Sequence, residues 1–388
     1  MEDAISFRDK FKLAKFVLTA NQFTNGPKVK ELEDAWSRWL GCDHSLFVSS
    51  GSTANFLLLA AVKDYYGLKA GDKVLLPSCT WMTNVAPVIQ LGLQPIFCDI
   101  QLSDFSFDES ELEKLAKKHK DIKLIFVTHL LGFSSKSRIN GRLNELFPKA
   151  YIMDDVCESH GCKLYNGEKV GSDRSSVGAT FSTYFGHHLT SIEGGFVSTN
   201  NYELYDLMKM KRSHGMARES MYYAEYAAQF PSIDKQFLFI TDGYNFRNTE
   251  LNAVLGLSQL ERLDSSIEIR NKNYKKFCDI INTFSDLFYP IEYTETSSNF
   301  CLPFVCLSME IKKRLVDAFI ANNIEYRPIV SGNLLRQPFL RDYRIDTKKT
   351  VTNADIIHTL GLYIGNSQFV GDKHLDLLVD ILGDVCKN

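Results

Sequence analysis

The sequence predicts an α/β protein: a large domain on a mixed, mostly parallel sheet, followed by a smaller C-terminal α/β domain. Three observations carry this reading. The chain has 388 residues, more than one ordinary domain holds. Hydrophobic residues make up 45% and charged residues 23%, enough apolar material for a sizeable core under a charged surface. Between about residues 45 and 200, short apolar runs alternate with amphipathic stretches, as strands do when helices carry the crossovers.

Strands are expected at 45–49, 73–76, 94–100, 123–128, 150–153, 178–182 and 195–199, where Val, Ile, Leu and Phe cluster. Helical periodicity occupies the intervals 53–66, 83–91 and 109–118. Past residue 200 the pattern shifts to long helices at 202–214 and 250–284, the second broken near Asp264. A smaller unit follows, with strands near 299–307 and 324–330 and a closing helix near 373–385. The expected division is therefore a cofactor-sized large domain at 1–262 and a small domain at 263–388. Residues 216–240 are polar and aromatic without a clear period, and read as a loop able to cover a site.

Composition excludes several classes of function. A net charge of -3 leaves no excess of Lys and Arg to meet nucleic-acid phosphates. No apolar run reaches membrane-spanning length, and the opening residues mix charges where a secretory signal would be apolar. A cytoplasmic protein is expected, without membrane or nucleic-acid partners. The nine cysteines form no C-x-x-C pair and several sit in strand-like runs, which suits buried thiols in a reducing compartment. Cys157 and Cys162 lie close together, but nothing nearby completes a metal set, so no metal is expected.

Ligands on a parallel sheet bind beyond the carboxyl ends of its strands, so the strand-to-loop junctions are where chemistry is expected. Ser49-Ser50-Gly51-Ser52-Thr53-Ala54-Asn55 follows the first strand and opens a helix. Gly51 lets backbone approach an anion, the hydroxyls donate, and free N–H groups meet it along the helix dipole. The same residue types also cap helices where no ligand is present. Trp81, one of three tryptophans, stands just past the second strand and could stack on a planar ring or simply fill core. Asp154-Asp155 closes an apolar run. A buried Asp there could hold a proton on a pyridine nitrogen, or cap the next segment.

The most specific stretch is Phe181-Ser182-Thr183-Tyr184-Phe185-Gly186-His187-His188-Leu189-Thr190-Ser191-Ile192-Glu193-Gly194-Gly195. With the Gly51 cup, Trp81 and the strand-end Asp in this order, it resembles the sugar aminotransferases of the DegT/DnrJ/EryC1/StrS group. The resemblance extends over nearly the whole chain, including Gly243-Tyr244-Asn245-Phe246-Arg247 and the segment from Glu325 to Asn333. It implies the fold-type I architecture of pyridoxal phosphate enzymes, as in aspartate aminotransferase. In that family a lysine stands at the position of His187, and this chain has no lysine from Val170 to Met208. The His-His pair before Glu-Gly-Gly looks like the lysine-less 3-dehydratase branch.

The resemblance implies roles residue by residue. Gly51, Ser52 and Ser182 would hold the phosphate of pyridoxal or pyridoxamine phosphate, Trp81 would stack on the ring, and Asp155 would pair with its nitrogen. Asn245 would reach the phosphate of a second subunit, making a homodimer with a shared site. His187 would be the base, its ordinary pKa lying near neutrality. Glutamate would supply the amine, and the C3 hydroxyl of a nucleotide-linked 4-keto-6-deoxyhexose would be removed, GDP-4-keto-6-deoxymannose being favoured. Glu158 could orient a water or the leaving hydroxyl, or simply form a salt bridge. His214 and Arg218 match a motif near the substrate, and Arg327 could meet a diphosphate. A second lysine-less branch carries an iron–sulfur cluster, but no cysteine lies between His188 and Asn245, so neither a cluster nor its reductase partner is expected. An aminotransferase that recruits a distant lysine and a non-catalytic cofactor or nucleotide-sugar binder stay open at this point, as does an engineered Lys-to-His change at 187.

Overall fold

The computed structural model describes residues 4–343 and 352–387. Seven strands form one sheet: β1 (His44–Val48), β2 (Lys73–Pro77), β3 (Gln94–Cys98), β4 (Ile122–Thr128), β5 (Tyr151–Asp155), β6 (Gly178–Ser182) and β7 (Gly195–Thr199). Their spatial order is β1-β7-β6-β5-β4-β2-β3. The run from β3 through β2, β4 and β5 to β6 is parallel, and β7 is antiparallel to both β6 and β1. Each expected strand of the large sheet forms. One boundary differs in a way that matters: β5 continues to Asp155, so Asp154 and Asp155 lie inside the strand and point to opposite faces.

A second sheet contains β8 (Cys301–Val305), β9 (Tyr326–Arg327) and β10 (Gly361–Gly365), all antiparallel in the order β8-β10-β9. The two sheets fall on either side of 262/263 in sequence. The strand expected at 324–330 shrinks to two residues, because Pro328 has no N–H to give the ladder. The centre of the sheet is β10, a five-residue run bounded by glycines that the sequence reading did not assign.

Helices depart from expectation where capping or strain decides. Residues 250–284 divide into Glu250–Leu260 and Leu263–Thr283, so the break precedes Asp264, whose carboxylate instead accepts from the Trp39 indole at 2.8 Å. The helix from Tyr202 ends at Arg212, and His214 takes a positive φ of 66° in the following turn. Residues 216–240 include a short helix, Tyr223–Gln229, with 3-10 turns on either side. Two N-terminal helices, Phe7–Thr19 and Pro27–Leu40, pack on Glu250–Leu260 and were not foreseen. No described helix is long and apolar enough to cross a membrane.

One buried cluster includes Leu46, Phe126 and Met153 of the large sheet together with Leu302 and Phe304 of the small one. The seam between them runs through the turn Leu130–Gly132. Ser298 donates its N–H to the Gly132 carbonyl at 2.7 Å, and the Asn299 amide donates to the Leu131 carbonyl at 3.0 Å. Gly132 has φ +99°, and a Cβ there would fall 2.2 Å from the Asn299 Cα. Both the backbone conformation and the lack of room require glycine. Gly132→Ala is expected to destabilise the protein by about 2 kcal/mol or more, from the strain of a side chain in this region plus the clash. Thermal unfolding measures it, and an unchanged Tm would show that the seam yields.

Candidate active site

The loop after β1 and the ends of β5 and β6 converge. Ser50 caps the helix Gly51–Tyr65: its hydroxyl accepts from the Thr53 N–H at 3.1 Å, and the Thr53 hydroxyl accepts from the Ser50 N–H at 3.0 Å. These two hydroxyls are therefore spent on the cap. Gly51 and Ser52 remain in the first turn, where N–H groups have no intrahelical acceptor, and Ser52 is exposed. A Cβ on Gly51 would lie 2.6 Å from the Ser182 Cβ and 3.0 Å from the Cys157 sulfur. Glycine thus lets the helix start press against Ser182 at the end of β6. The arrangement offers backbone donors, a helix dipole and hydroxyls to one small anion.

Alternation along β5 separates the two aspartates. Asp154 is fully buried and bonds the Lys136 ammonium at 3.1 Å, the His129 ring at 3.3 Å and the Ser176 hydroxyl. Burial opposes its ionisation, but the Lys136 charge and the His129 bond hold it well below the usual carboxylate range. It is a structural ion pair. Asp155 faces the other way and is 4% exposed. One of its oxygens accepts from the amides of Asn55 at 2.9 Å and Asn84 at 2.8 Å, the other from the Cys157 N–H at 2.9 Å. Among the described residues no cation pairs with Asp155. A buried carboxylate held only by amide donors suits a protonated heterocyclic nitrogen brought by a ligand.

His187 follows β6. Its ring is partly exposed, yet its Nδ1 is shut off from solvent without a hydrogen-bond partner among the described residues. Burial drives its pKa down to about 4; the Asp155 charge opposes that and the Arg270 charge reinforces it. At pH 7 that leaves the imidazole in its neutral form, with a lone pair on one nitrogen. His188 is buried and bonds the Ser298 carbonyl at 2.8 Å. The site lies at the strand ends that the topology predicts, and its Gly51 cup, Asp155 and lysine-free His187 segment fit a phosphorylated pyridine cofactor.

The remaining sequence-derived candidates scatter. Trp81 precedes the helix Met82–Gln90 and is 53% exposed, so its ring face is open rather than core. Glu158 accepts from the Leu131 N–H at 2.9 Å, and burial with the nearby Asp155 raises its pKa to about 7. No basic side chain pairs with it among the described residues, so it is not in a salt bridge. Asn245 and His214 are exposed and both bond Arg247, at 3.0 and 3.3 Å. Arg218 is exposed on a 3-10 turn, and Arg327 is exposed and paired with Glu325 at 2.5 Å. Sequence reasoning missed Asn55 and Asn84, the holders of Asp155. Each stands on the buried side of a helix that opens at the site, and a polar amide among apolar neighbours was their signal. It also missed Arg270, a buried guanidinium that among the described residues meets carbonyl oxygens, those of Asn366, His188 and the Gln368 side chain.

Comparison with known proteins agrees with this geometry. The model of the DegT/DnrJ/EryC1/StrS aminotransferase family matches residues 7–382. A GDP-4-keto-6-deoxy-D-mannose 3-dehydratase of Yersinia pseudotuberculosis is 33% identical over 94% of this chain and 93% of its own. A solved GDP-4-keto-6-deoxymannose-3-dehydratase, a histidine-to-asparagine mutant with bound GDP-perosamine, superposes with TM-score 0.87 at 29% identity, covering 98% of each chain. A further structure of that dehydratase, with a trapped PLP-glutamate geminal diamine, gives TM-score 0.84 at 29% identity and the same coverage. The chain belongs to the DegT/DnrJ/EryC1/StrS aminotransferase family.

Proposed function

We propose that this protein is a pyridoxal-phosphate-dependent 3-dehydratase of a nucleotide-linked 4-keto-6-deoxyhexose, with GDP-4-keto-6-deoxymannose as substrate and glutamate as amine source. The observation that carries the reading is His187: an imidazole stands near the buried Asp155, which no described cation pairs, at the position where the family resemblance implies a lysine. The dehydratase names of the similar proteins support it, as does the glutamate adduct trapped in one of them.

When bound, the cofactor supplies an amine that condenses with the sugar ketone and a ring that accepts electrons as the C3 hydroxyl departs. The chain's residues do the rest. Gly51 and Ser52 N–H groups with the Ser52 and Ser182 hydroxyls hold the phosphate, and Asn245 of a second subunit would add a donor. Trp81 covers one ring face. Asp155 keeps a proton on the ring nitrogen, its own two oxygens oriented by Asn55, Asn84 and the Cys157 N–H. His187 would be the base that moves the proton at the cofactor's C4′ carbon. An imidazole moves protons but cannot form an imine of its own, so the amine is not kept on the sugar. Hydrolysis then releases ammonia and a 3-deoxy-4-keto sugar, a step towards 3,6-dideoxyhexoses.

A homodimer belongs to this proposal. Its support is the exposed apolar surface of the first helix, where Phe7 is 83% and Leu18 85% exposed, and the outward-facing Asn245. So does a cytoplasmic location, which nine cysteines outside any disulfide suit. Glu158, His214, Arg218 and Arg327 are proposed substrate contacts.

The reaction is tested by product balance with pyridoxal phosphate, glutamate and GDP-4-keto-6-deoxymannose. Equal amounts of 2-oxoglutarate and ammonia with a deoxygenated sugar are expected, and His187→Asn should abolish turnover. An amino group retained on the sugar would overturn the dehydratase, and no turnover with GDP, CDP or dTDP sugars would mark a non-catalytic binder. The two aspartates separate in a second test. Asp155→Asn should keep its Tm but bind pyridoxal phosphate about tenfold or more weakly, the loss of one charge-assisted bond. Asp154→Asn should bind normally and lose about 3 kcal/mol of stability, because Lys136 keeps only Asp173 as its anion. Since Asp154 ionises at lower pH in the fold than when unfolded, its contribution is complete above about pH 4 and disappears as pH falls below that. The difference in stability between wild type and Asp154→Asn should therefore narrow in acid. Exchanged phenotypes would reverse the two roles.

A further inference from the structure

Four groups behind His187 form a chain whose tautomers follow from their acceptors. His188 Nε2 lies 2.8 Å from the Ser298 carbonyl, which only accepts, so this nitrogen carries hydrogen. Burial pushes the pKa of His188 and His160 well below the ordinary value, which favours the neutral ring, and in neutral His188 the Nδ1 is a lone pair. His160 Nδ1, 3.4 Å away, must donate to it. His160 Nε2 is consequently a lone pair as well, on a fully buried ring, and it has no partner among the described residues. The Ser298 hydroxyl fixes the other side by donating to the His160 carbonyl at 2.7 Å.

His187 offers the complementary group. Its Nδ1 is also buried and unpaired. The His160 and His187 rings lie 6.4 Å apart at 63°. With the ring radii subtracted, that gap is too wide for a direct bond and suits one bridging water, which spans up to about 5.6 Å with two bonds of about 2.8 Å. The nearby charges do not serve this nitrogen: Arg270 donates to His188, Asn366 and Gln368, and the Asp155 oxygens receive Asn55, Asn84 and Cys157. The Trp36 indole N–H, unpaired beside His160 at 5.6 Å, adds a donor and no acceptor.

We propose that His160 is a positioning residue which, through one water and its bond to His188, holds the proton of His187 on Nδ1 and leaves the Nε2 lone pair facing the cofactor. A base needs its lone pair on the nitrogen that meets the substrate, and a neutral imidazole has one lone pair to place. Most catalytic histidines are oriented by a carboxylate; here the acceptor is a second, neutral histidine. A carboxylate in that position would stabilise the imidazolium, whereas a neutral acceptor fixes the tautomer and leaves His187 uncharged.

The inference rests on His187 being the base, but its test does not need the reaction. Long-range proton–nitrogen spectra of the 15N-histidine-labelled chain without cofactor report which nitrogen of each ring bears hydrogen. His187 is assigned by its disappearance in His187→Asn. At pH 7.5 His187 should show hydrogen on Nδ1. His160→Phe, which offers no acceptor, should move it to the Nε2–H form or a mixture, and His160→Gln, with one donor and one acceptor, should restore Nδ1–H. In the holoenzyme, kcat of His160→Phe should fall at least about tenfold with an unchanged KM for glutamate. An Nε2–H tautomer in the wild-type chain, readable even if the Phe variant fails to fold, would overturn the proposal, as would an identical tautomer in wild type and His160→Phe.

Discussion

The candidate site depends on one constraint, the buried carboxylate of Asp155, with which no cation pairs among the described residues. A charge in that position is costly unless its oxygens are filled, and two asparagine amides with a backbone N–H fill them without neutralising it. The helices from Gly51 and from Met82 both open toward the site, and each contributes one of the amides. Meeting Asp155's hydrogen-bonding needs therefore also places the phosphate cup and Trp81 on the same side of the sheet. The negative charge left over suits a ligand that carries a positive one.

The same strand shows how the other face is kept inert. Asp154 is paired with Lys136 and His129, and Lys136 is shared with Asp173, so each carboxylate there has a cationic partner within the protein. Adjacent carboxylates on one strand thus serve opposite ends, because side chains alternate between faces. A slip of one residue in β5 would exchange them, and the bonds of both faces oppose it. Register and chemistry are specified together.

Much of this was legible in the sequence, and the failures are physical. Periodicity located the seven strands of the large sheet, because buried parallel strands are continuous apolar runs. It placed the end of β5 two residues early, since aspartates read as the end of a strand although these two are inside it. Choosing Asp155 over Asp154 needed the family resemblance; the structure supplies the reason, which is the lysine on one face and its absence on the other. Pro328 announced a short β9 and was overlooked, and β10 was hidden between glycines. At the site, Gly51, Ser182 and His187 were readable from their order along the chain. Asn55, Asn84, His160 and Arg270 were not, because their partners lie tens of residues or more away and only folding brings them together. The Ser49–Thr53 hydroxyls were read as one cup, but Ser50 and Thr53 are consumed by helix capping, a competition that sequence alone does not resolve.

His187 sits under opposing fields, and the balance explains why a histidine can serve here. Asp155 favours the imidazolium, which would be useless as a base. Burial and the Arg270 guanidinium oppose it and prevail, leaving the ring neutral with a pKa near 4. Among the described residues Arg270 has no carboxylate partner, and burial drives it down to about 10, so none of them cancels its charge. A lysine in the same position would meet the same burial and the same cation, both of which favour the free amine that an imine-forming enzyme needs. The environment that suits a nucleophilic lysine is therefore also one that keeps a histidine unprotonated. Exchanging the residue changes the reaction without requiring the pocket around it to be rebuilt, because the electrostatics demanded of the two groups have the same sign.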